Sequence, residues 1–153
     1  MLWIGWKWRF ALGLVLAAAG CGDVYDGPPL IKVTGNVTLD GQPLSGANIL
    51  LIPHGETLGQ GAAGRTDAAG RFSLKSPDDK FEGVVQGSYR VVISKWVTPD
   101  GADFVPNPDI DPMTAAYREV LPPIYSDSVQ TTLTAQIGPK PPALEFKLVS
   151  TPH

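Results

Sequence analysis

Residues Lys32 to Pro53, K-V-T-G-N-V-T-L-D-G-Q-P-L-S-G-A-N-I-L-L-I-P, decide the fold class. From Ile31 to Leu39 the odd positions are apolar or glycine and the even ones are polar. This period of two is typical of a strand with one buried face. Asp40-Gly41 offers turn chemistry, because an aspartate can bond its own backbone and a glycine accepts positive φ. A second strand is expected from Ala47 to Ile52.

The rest of the chain repeats this pattern in short segments. No long amphipathic helix interrupts them, which favours an all-β fold, namely a seven-stranded antiparallel Greek-key β-sandwich of Ig-like architecture over residues 30–150. Five further strands are expected. The first is a weak edge strand after the glycine-rich stretch 54–64, and the second lies around Phe72 and Leu74. The others are expected over Gly87–Lys95, Val129–Ile137 and Leu144–Leu148.

Two side chains in this pattern have expected structural roles. Asp67 precedes Gly70 in T-D-A-A-G-R-F, and its carboxylate is expected to cap that turn rather than act as a catalytic acid. Tyr89 opens a strand with Val91 and Ile93 on the same face. Its ring is expected in the core and its hydroxyl on a nearby backbone group, as in a tyrosine corner.

The N-terminal segment is expected to be a targeting segment that directs export. Lys7 and Arg9 precede the apolar run Phe10–Ala19, which is too short to span a bilayer and is typical of a signal peptide over residues 1–20. The run ends in Ala18-Ala19-Gly20-Cys21, which resembles the lipobox of bacterial lipoproteins, although that family usually has Leu where Ala18 stands. The resemblance implies a diacylglyceryl group on Cys21, with fatty acyl chains such as palmitate.

Two other fates of the segment stay open, namely ordinary cleavage near Gly20 and an uncleaved anchor. A lone cysteine in an exported chain favours lipidation. Residues 21–29 are then the lipidated cysteine and a tether, and the membrane becomes a partner through Cys21. The protein is expected to be exported and anchored to a bacterial membrane, on its periplasmic or its cell-surface face.

Charge argues against a nucleic-acid partner. The chain has 12 basic and 15 acidic residues, and loss of Lys7 and Arg9 with the signal peptide leaves 10 against 15. Nucleic-acid binding depends on neutralising phosphates with clustered basic residues. A mildly acidic domain is therefore not expected to bind nucleic acid.

Several motifs together resemble one family, the carboxypeptidase regulatory-like domains of transthyretin-like (prealbumin-like) topology, in the version found in small planctomycete-type bacterial lipoproteins. The motifs are G-N-V-T-L-D-G-Q-P-L-S-G-A-N-I at 35–49, G-R-T-D-A-A-G-R-F-S-L at 64–74, G-S-Y-R-V-V-I-S-K at 87–95, and L-P-P-I-Y-S-D-S at 121–128 followed by T-L-T-A-Q-I. The likeness covers roughly Val33 to Val149. It implies a seven-stranded sandwich exported to the envelope, without an assigned activity.

Catalysis is not expected, and neither a cofactor nor a bound metal is. The histidines are His54 and His153, and H-E-x-x-H, paired-cysteine and G-x-S-x-G patterns are absent from the sequence. The alternative is a small hydrolase like the transthyretin relatives that act on hydroxyisourate. Those relatives use several histidines, an arginine and a C-terminal Tyr-Arg-Gly-Ser, whereas this chain ends Val-Ser-Thr-Pro-His.

Calcium is a further alternative, because Asp103, Asp109 and Asp111 share one stretch of sequence. Prolines separate them and the ordered D-x-D-x-D-G pattern is missing, so solvated carboxylates are expected instead.

One long connection, Val97 to Ser128, breaks the rhythm of short turns. Connections well beyond ~15 residues are uncommon unless they cross between sheets or carry a function. Thr114 to Leu121 is expected to form one or two helical turns that end at Pro122-Pro123. Trp96, Tyr117 and Tyr125 are expected either to pin this connection to the sandwich or to form a binding loop for an envelope protein or a glycan.

Overall fold

The computed structural model describes residues 24–105, 116–141 and 143–151, so the expected signal peptide and Cys21 lie outside the described residues. The described chain is mostly β. Its elements are β1 Leu30–Ile31, β2 Thr34–Leu39, β3 Gln42–Pro43, β4 Asn48–His54, β5 Ala62–Arg65, β6 Arg71–Ser73, β7 Val84–Val85, β8 Gly87–Ser94, β9 Trp96–Val97, β10 Arg118–Glu119, α1 Pro123–Ser126, β11 Thr134–Ile137 and β12 Leu144–Leu148. In these ranges no helix has the length and apolar character needed to cross a bilayer.

Eight of the described strands form two four-stranded sheets. One has the order β11-β8-β4-β5 and is antiparallel throughout. The other has the order β12-β2-β3, and β6 also pairs with β2, beyond the end of β3. Two short antiparallel ribbons, β1-β7 and β9-β10, complete the strand pairing.

Both sheets contribute to one hydrophobic core. The predicted inward faces are confirmed, because alternate residues of β2, β4 and β12 are buried. In β8 the expected inward residues Tyr89, Val91 and Ile93 are buried, and Val92 and Ser94 between and after them are buried as well. The all-β prediction is confirmed with them. Buried members from the two sheets are Val37, Ile49, Leu51, Phe72, Tyr89, Val91, Ile93, Ile137, Phe146 and Leu148.

The expected pair of strands around Asp40-Gly41 implied a hairpin, but residues 32–53 do not form one. Asp40 and Gly41 do take positive φ, 50° and 80°, and the turn is confirmed. It leads into β3, which ends at Pro43, a residue without an N–H to donate. After Gly46, at φ 68°, the chain enters β4 in the other sheet.

The expectation of a purely antiparallel fold is wrong at one pair. β12 runs parallel to β2, with Leu144 opposite Gly35 and Phe146 opposite Val37. β11 and β12 follow one another in the chain, but they pair with strands of different sheets. A chain that crosses between sheets can return in either direction, so the short connection between the two strands does not set their pairing.

The expected strand Val129–Ile137 begins only at Thr134. The Asp127 carboxylate accepts the backbone N–H groups of Val129 and Gln130, at 2.7 and 2.9 Å. These N–H groups therefore serve a turn instead of a ladder. Val129 is 82% exposed, so it does not share the buried face of Ala135 and Ile137.

The expected helix over Thr114–Leu121 is also wrong within its described part. Arg118 and Glu119 form β10, and the only helical turn in this described region, α1, begins at Pro123. Proline has no N–H, which the first turn of a helix does not need, and its fixed φ suits that position. Pro122-Pro123 therefore starts a helix rather than ending one.

Candidate functional site

The β9–β10 ribbon brings together two of the three aromatic residues predicted for the long connection. Val97 pairs with Arg118, and Trp96 pairs with Glu119. As a result, the Trp96 and Tyr117 rings lie 5.8 Å apart, tilted by 55°. Residues more than twenty positions apart in sequence thus meet at one end of the molecule.

A third ring, Phe104, joins them. The Gly101 N–H donates to the Thr98 carbonyl and the Thr98 N–H to the Ala102 carbonyl, both at 2.9 Å. This tight turn folds the chain back, so the Phe104 N–H reaches the Trp96 carbonyl at 2.8 Å. Phe104 stacks on Tyr117 with ring centres 4.5 Å apart. We call Trp96, Phe104 and Tyr117 the aromatic cluster.

The aromatic cluster is partly open to solvent. Tyr117 is 41% exposed, and Trp96 and Phe104 are of intermediate burial. In the turn beside the cluster, a hydrogen bond from the Thr98 hydroxyl holds the pKa of Asp100 below its ordinary value. The aromatic cluster is therefore a partly exposed apolar surface next to a charged, solvated turn.

Tyr125, the third predicted residue, lies elsewhere. It is in α1 and only 7% exposed, and it belongs to the hydrophobic core. Its hydroxyl accepts the Val149 N–H at 3.3 Å, just after β12. Tyr125 therefore pins the long connection to the core, one of the two roles expected for these residues, and does not join the aromatic cluster.

Glu119 fixes the ribbon beneath the aromatic cluster. Its Oε1 accepts the backbone N–H groups of Lys95, Val120 and Leu121 at 2.8 to 2.9 Å. A carboxylate that takes several backbone N–H groups makes charge-assisted bonds, which are stronger than neutral ones. It thereby ties Lys95, the residue after β8, to β10 and the residues that follow β10 within the long connection.

Lys95 holds the other side of this region. Its Nζ donates to the Ser45 carbonyl at 2.7 Å and lies 3.0 Å from Asp103 Oδ1, and its side chain is only 18% exposed. The Asp103 carboxylate packs over Gly46, where a Cβ atom would overlap it. Asp103 is thus engaged with a lysine, and its two predicted companions, Asp109 and Asp111, lie outside the described residues.

Metal ligands do not gather in the described ranges. Among residues 24–105, 116–141 and 143–151, no group of three or more His, Cys, Asp or Glu side chains is placed to hold an ion. His54 instead lies beside a shallow hollow of about 280 Å³. The hollow is lined by His54, Tyr89, Arg90, Thr131, Thr132 and Thr134.

The expected roles of Asp67 and Tyr89 are confirmed. Asp67 Oδ1 accepts the N–H groups of Ala69 and Arg71 at 2.8 and 2.9 Å. The Tyr89 ring is 2% exposed and its hydroxyl donates to the Val85 carbonyl at 2.6 Å. Burial raises the pKa of this phenol above its ordinary value.

Two members of this region were missed at the sequence level. Phe104 follows Pro99-Asp100-Gly101, a turn signal that predicts a reversal of the chain and could have placed it beside Trp96. Glu119 gives no such signal, because its partners are backbone N–H groups that any residue carries.

Comparison with family models, with curated proteins and with solved structures finds no match to this chain. The resemblance to carboxypeptidase regulatory-like domains therefore rests on the quoted motifs alone and stays a prediction.

Proposed function

We propose that this chain is a lipid-anchored protein of the bacterial cell envelope, held to the membrane through Cys21, whose folded part binds a partner and does not catalyse a reaction. The lipid is supported by the apolar run that ends in Ala18-Ala19-Gly20-Cys21. The binding role is supported by one observation above the others, the partly exposed aromatic cluster.

For the fold, we propose a seven-stranded Greek-key sandwich of prealbumin-like type. Seven strands in the described part have three or more residues, namely β2, β4, β5, β6, β8, β11 and β12. The two sheets share one core. The Tyr89 hydroxyl bonded to the Val85 carbonyl resembles a tyrosine corner. These features support the family resemblance.

The aromatic cluster suits recognition for a physical reason. Aromatic side chains offer a large apolar area at a low cost in rotamer entropy and dominate the energetics of many interfaces. Here the backbone next to the rings is held by side chains, since Glu119 accepts the Lys95 N–H and the Lys95 ammonium group donates to the Ser45 carbonyl. The partner we propose is an envelope protein or a glycan, met through Phe104 and Tyr117.

The test is a double substitution, Phe104→Ala with Tyr117→Ala, in the full chain. Photo-crosslinking in intact cells reports protein partners, and co-sedimentation with purified peptidoglycan reports a glycan. The matched control is Leu50→Ala, which removes another exposed apolar side chain, 41% exposed, from a sheet. We expect the double variant to lose the crosslinked species or the co-sedimentation, and the control to keep it. Equal recovery from both variants would contradict a binding role for the cluster.

A second candidate has one observation in its favour. His54 and Arg90 line the same hollow, and hydroxyisourate hydrolases of the transthyretin-related kind use histidines and an arginine. We expect the purified protein to leave hydroxyisourate unchanged. Turnover that disappears in His54→Ala would instead establish the hydrolase and overturn the non-catalytic proposal.

A further inference from the structure

The chain is attached to the domain very soon after Cys21. The Tyr25 ring lies 5.1 Å from the Phe81 ring, tilted by 60°. It also folds over Gly27, where a Cβ atom would come within 2.5 Å of the tyrosine ring. β1 then pairs with β7, and Lys32 forms an exposed ion pair with Glu82 at 2.9 Å. The segment expected to be a tether is therefore held in place from Tyr25 onward.

These contacts lie at one particular end of the domain. Tyr25, Gly59, Phe81 and Val85 line one groove of about 290 Å³, so the loop after β4 adjoins the N-terminal segment. Thr57 fixes this loop, because its Oγ1 accepts the Ser88 N–H at 2.8 Å. We call this the N-terminal end of the domain.

Exposed apolar side chains mark the N-terminal end. Val24 is 87% exposed and Leu58 is 65% exposed. Tyr25 is also exposed, at 36%. Large apolar side chains that project from the same end as an anchored segment suit the boundary between headgroups and acyl chains, where aromatic and apolar residues are favoured.

The aromatic cluster lies at the opposite end. In the β4–β8 pair, His54 is opposite Ser88 at the N-terminal end, and Asn48 is opposite Ser94 at the other. Trp96 comes two residues after Ser94, at the start of β9. The six residue steps from Asn48 to His54, at about 3.3 Å each, separate the two ends by roughly 20 Å.

Chain length limits how far the N-terminal end can move from a membrane anchor. Four residue steps join Cys21 to Tyr25, and a fully extended chain covers at most about 3.6 Å per residue, so they reach about 14 Å. This bound holds for any conformation of the residues between them.

We infer that the N-terminal end, with Tyr25 and Leu58, faces the lipid surface that holds Cys21, and that the aromatic cluster is the membrane-distal end. The inference rests on the proposed lipid at Cys21. It places Phe104 and Tyr117 where a partner in the envelope can reach them, about the length of a strand above the bilayer.

Electrostatic attraction to anionic lipids does not drive the contact between the N-terminal end and the membrane. Asp26, Glu56, Asp78 and Asp79 are exposed at or near the N-terminal end, with Lys75 and Lys80 close by in sequence. One of these carboxylates, that of Asp79, pairs with Lys75 at 3.0 Å. Such a surface has no excess of positive charge to attract anionic lipids. The orientation is therefore expected to persist when the salt concentration is raised.

The test uses the full lipidated chain in vesicles of phosphatidylcholine and phosphatidylglycerol. Single cysteines for a fluorophore are introduced as Leu58→Cys at the N-terminal end and as Asp100→Cys in the turn beside the aromatic cluster. Cys21 carries the lipid in the proposed protein, so only the introduced thiol reacts. We expect a lipid with a headgroup quencher to quench the label at position 58 severalfold more than the label at position 100, at low and high salt alike.

The outcomes separate the two proposals. A chain that carries acyl mass on Cys21 and sediments with vesicles, but shows equal quenching at both positions, overturns the orientation alone. A chain without acyl mass on Cys21 overturns the lipid anchor and the orientation with it. Stronger quenching at position 100 than at position 58 would contradict the proposed orientation and place the aromatic cluster at the membrane.

Discussion

The Tyr89 hydroxyl donates a 2.6 Å hydrogen bond to the carbonyl of Val85, and this bond joins the four-stranded antiparallel sheet that contains β8 to β7. β7 in turn pairs with β1, the first strand after the N-terminal segment. A single phenol thus links the hydrophobic core to the part of the chain that follows Cys21.

Replacement of Tyr89 by Phe removes this bond and keeps the buried ring. We expect the free energy of unfolding to fall by about 1 kcal/mol, the usual net worth of such a hydrogen bond. Urea denaturation measures it. The matched control is Tyr117→Phe at an exposed ring, which is expected to change stability by less than about 0.5 kcal/mol. Equal losses in the two variants would show that the Tyr89 hydroxyl contributes nothing specific.

Stability is also expected to fall at alkaline pH, because the Tyr89 phenol is buried in its neutral form. Burial raises the pKa of Tyr89 above its ordinary value of 10.0, so the folded chain keeps this proton to a higher pH than the unfolded chain. The contribution is complete below pH 10.0 and is lost as pH rises through the raised pKa. Denaturation midpoints from pH 9 upward should decline less steeply in Tyr89→Phe than in the unmodified chain. Parallel curves would contradict this source of the pH dependence.

At Gly35 in β2, the backbone of β12 and the Phe72 ring both lie very close to the chain. A Cβ atom there would lie 2.4 Å from both the Leu144 carbonyl oxygen and Phe72 Cζ. We expect Gly35→Ala to lower the free energy of unfolding by about 2 kcal/mol or more, because backbone and a buried ring must shift to relieve the overlap. Gly138→Ala is the control, since its Cβ would have no neighbour within 4 Å. A stable Gly35→Ala would show that the parallel β2–β12 pairing is loose.

Glu119 is expected to matter for stability rather than for contact with a partner. Glu119→Ala removes the acceptor of the Lys95 and Leu121 N–H groups, whereas the Val120 N–H retains the Lys95 carbonyl. We expect a loss of about 2 kcal/mol, the cost of leaving donors without partners. Glu119→Gln keeps an acceptor oxygen and should lose about half as much. The exposed Glu145→Ala provides the baseline, and thermal unfolding ranks the three variants.

Local patterns predicted the parts of the fold that depend on local physics. Burial of alternate side chains leaves a period of two in the sequence, so the faces of β2, β8 and β12 were correct. Turns at Asp40-Gly41 and Asp67 were also correct, because a short polar side chain or a glycine sets the backbone path there.

Pairing between distant strands could not be read in the same way. Nothing near Leu144 indicates that β12 runs parallel to β2, since that choice depends on which strand edge is free in the folded core. The period-two pattern after Val129 was misleading because the Asp127 carboxylate captures the N–H groups that a strand would use.

The candidate site was predicted in part. Trp96 and Tyr117 were correctly assigned to one region, and their meeting depends on the pairing of β9 with β10. Tyr125 was grouped with them by its position in the sequence, yet its side chain enters the core. Burial of an aromatic side chain in a loop is decided by the packing around it, which proximity in sequence does not report.

The most direct test of the central claim is the intact mass of the chain extracted from bacterial membranes. The account predicts a mature protein that begins at Cys21 and carries the mass of a diacylglyceryl group there, and it predicts that Cys21→Ser remains unacylated. A mature protein that begins at another residue, or that begins at Cys21 without acyl mass, would contradict the lipid anchor.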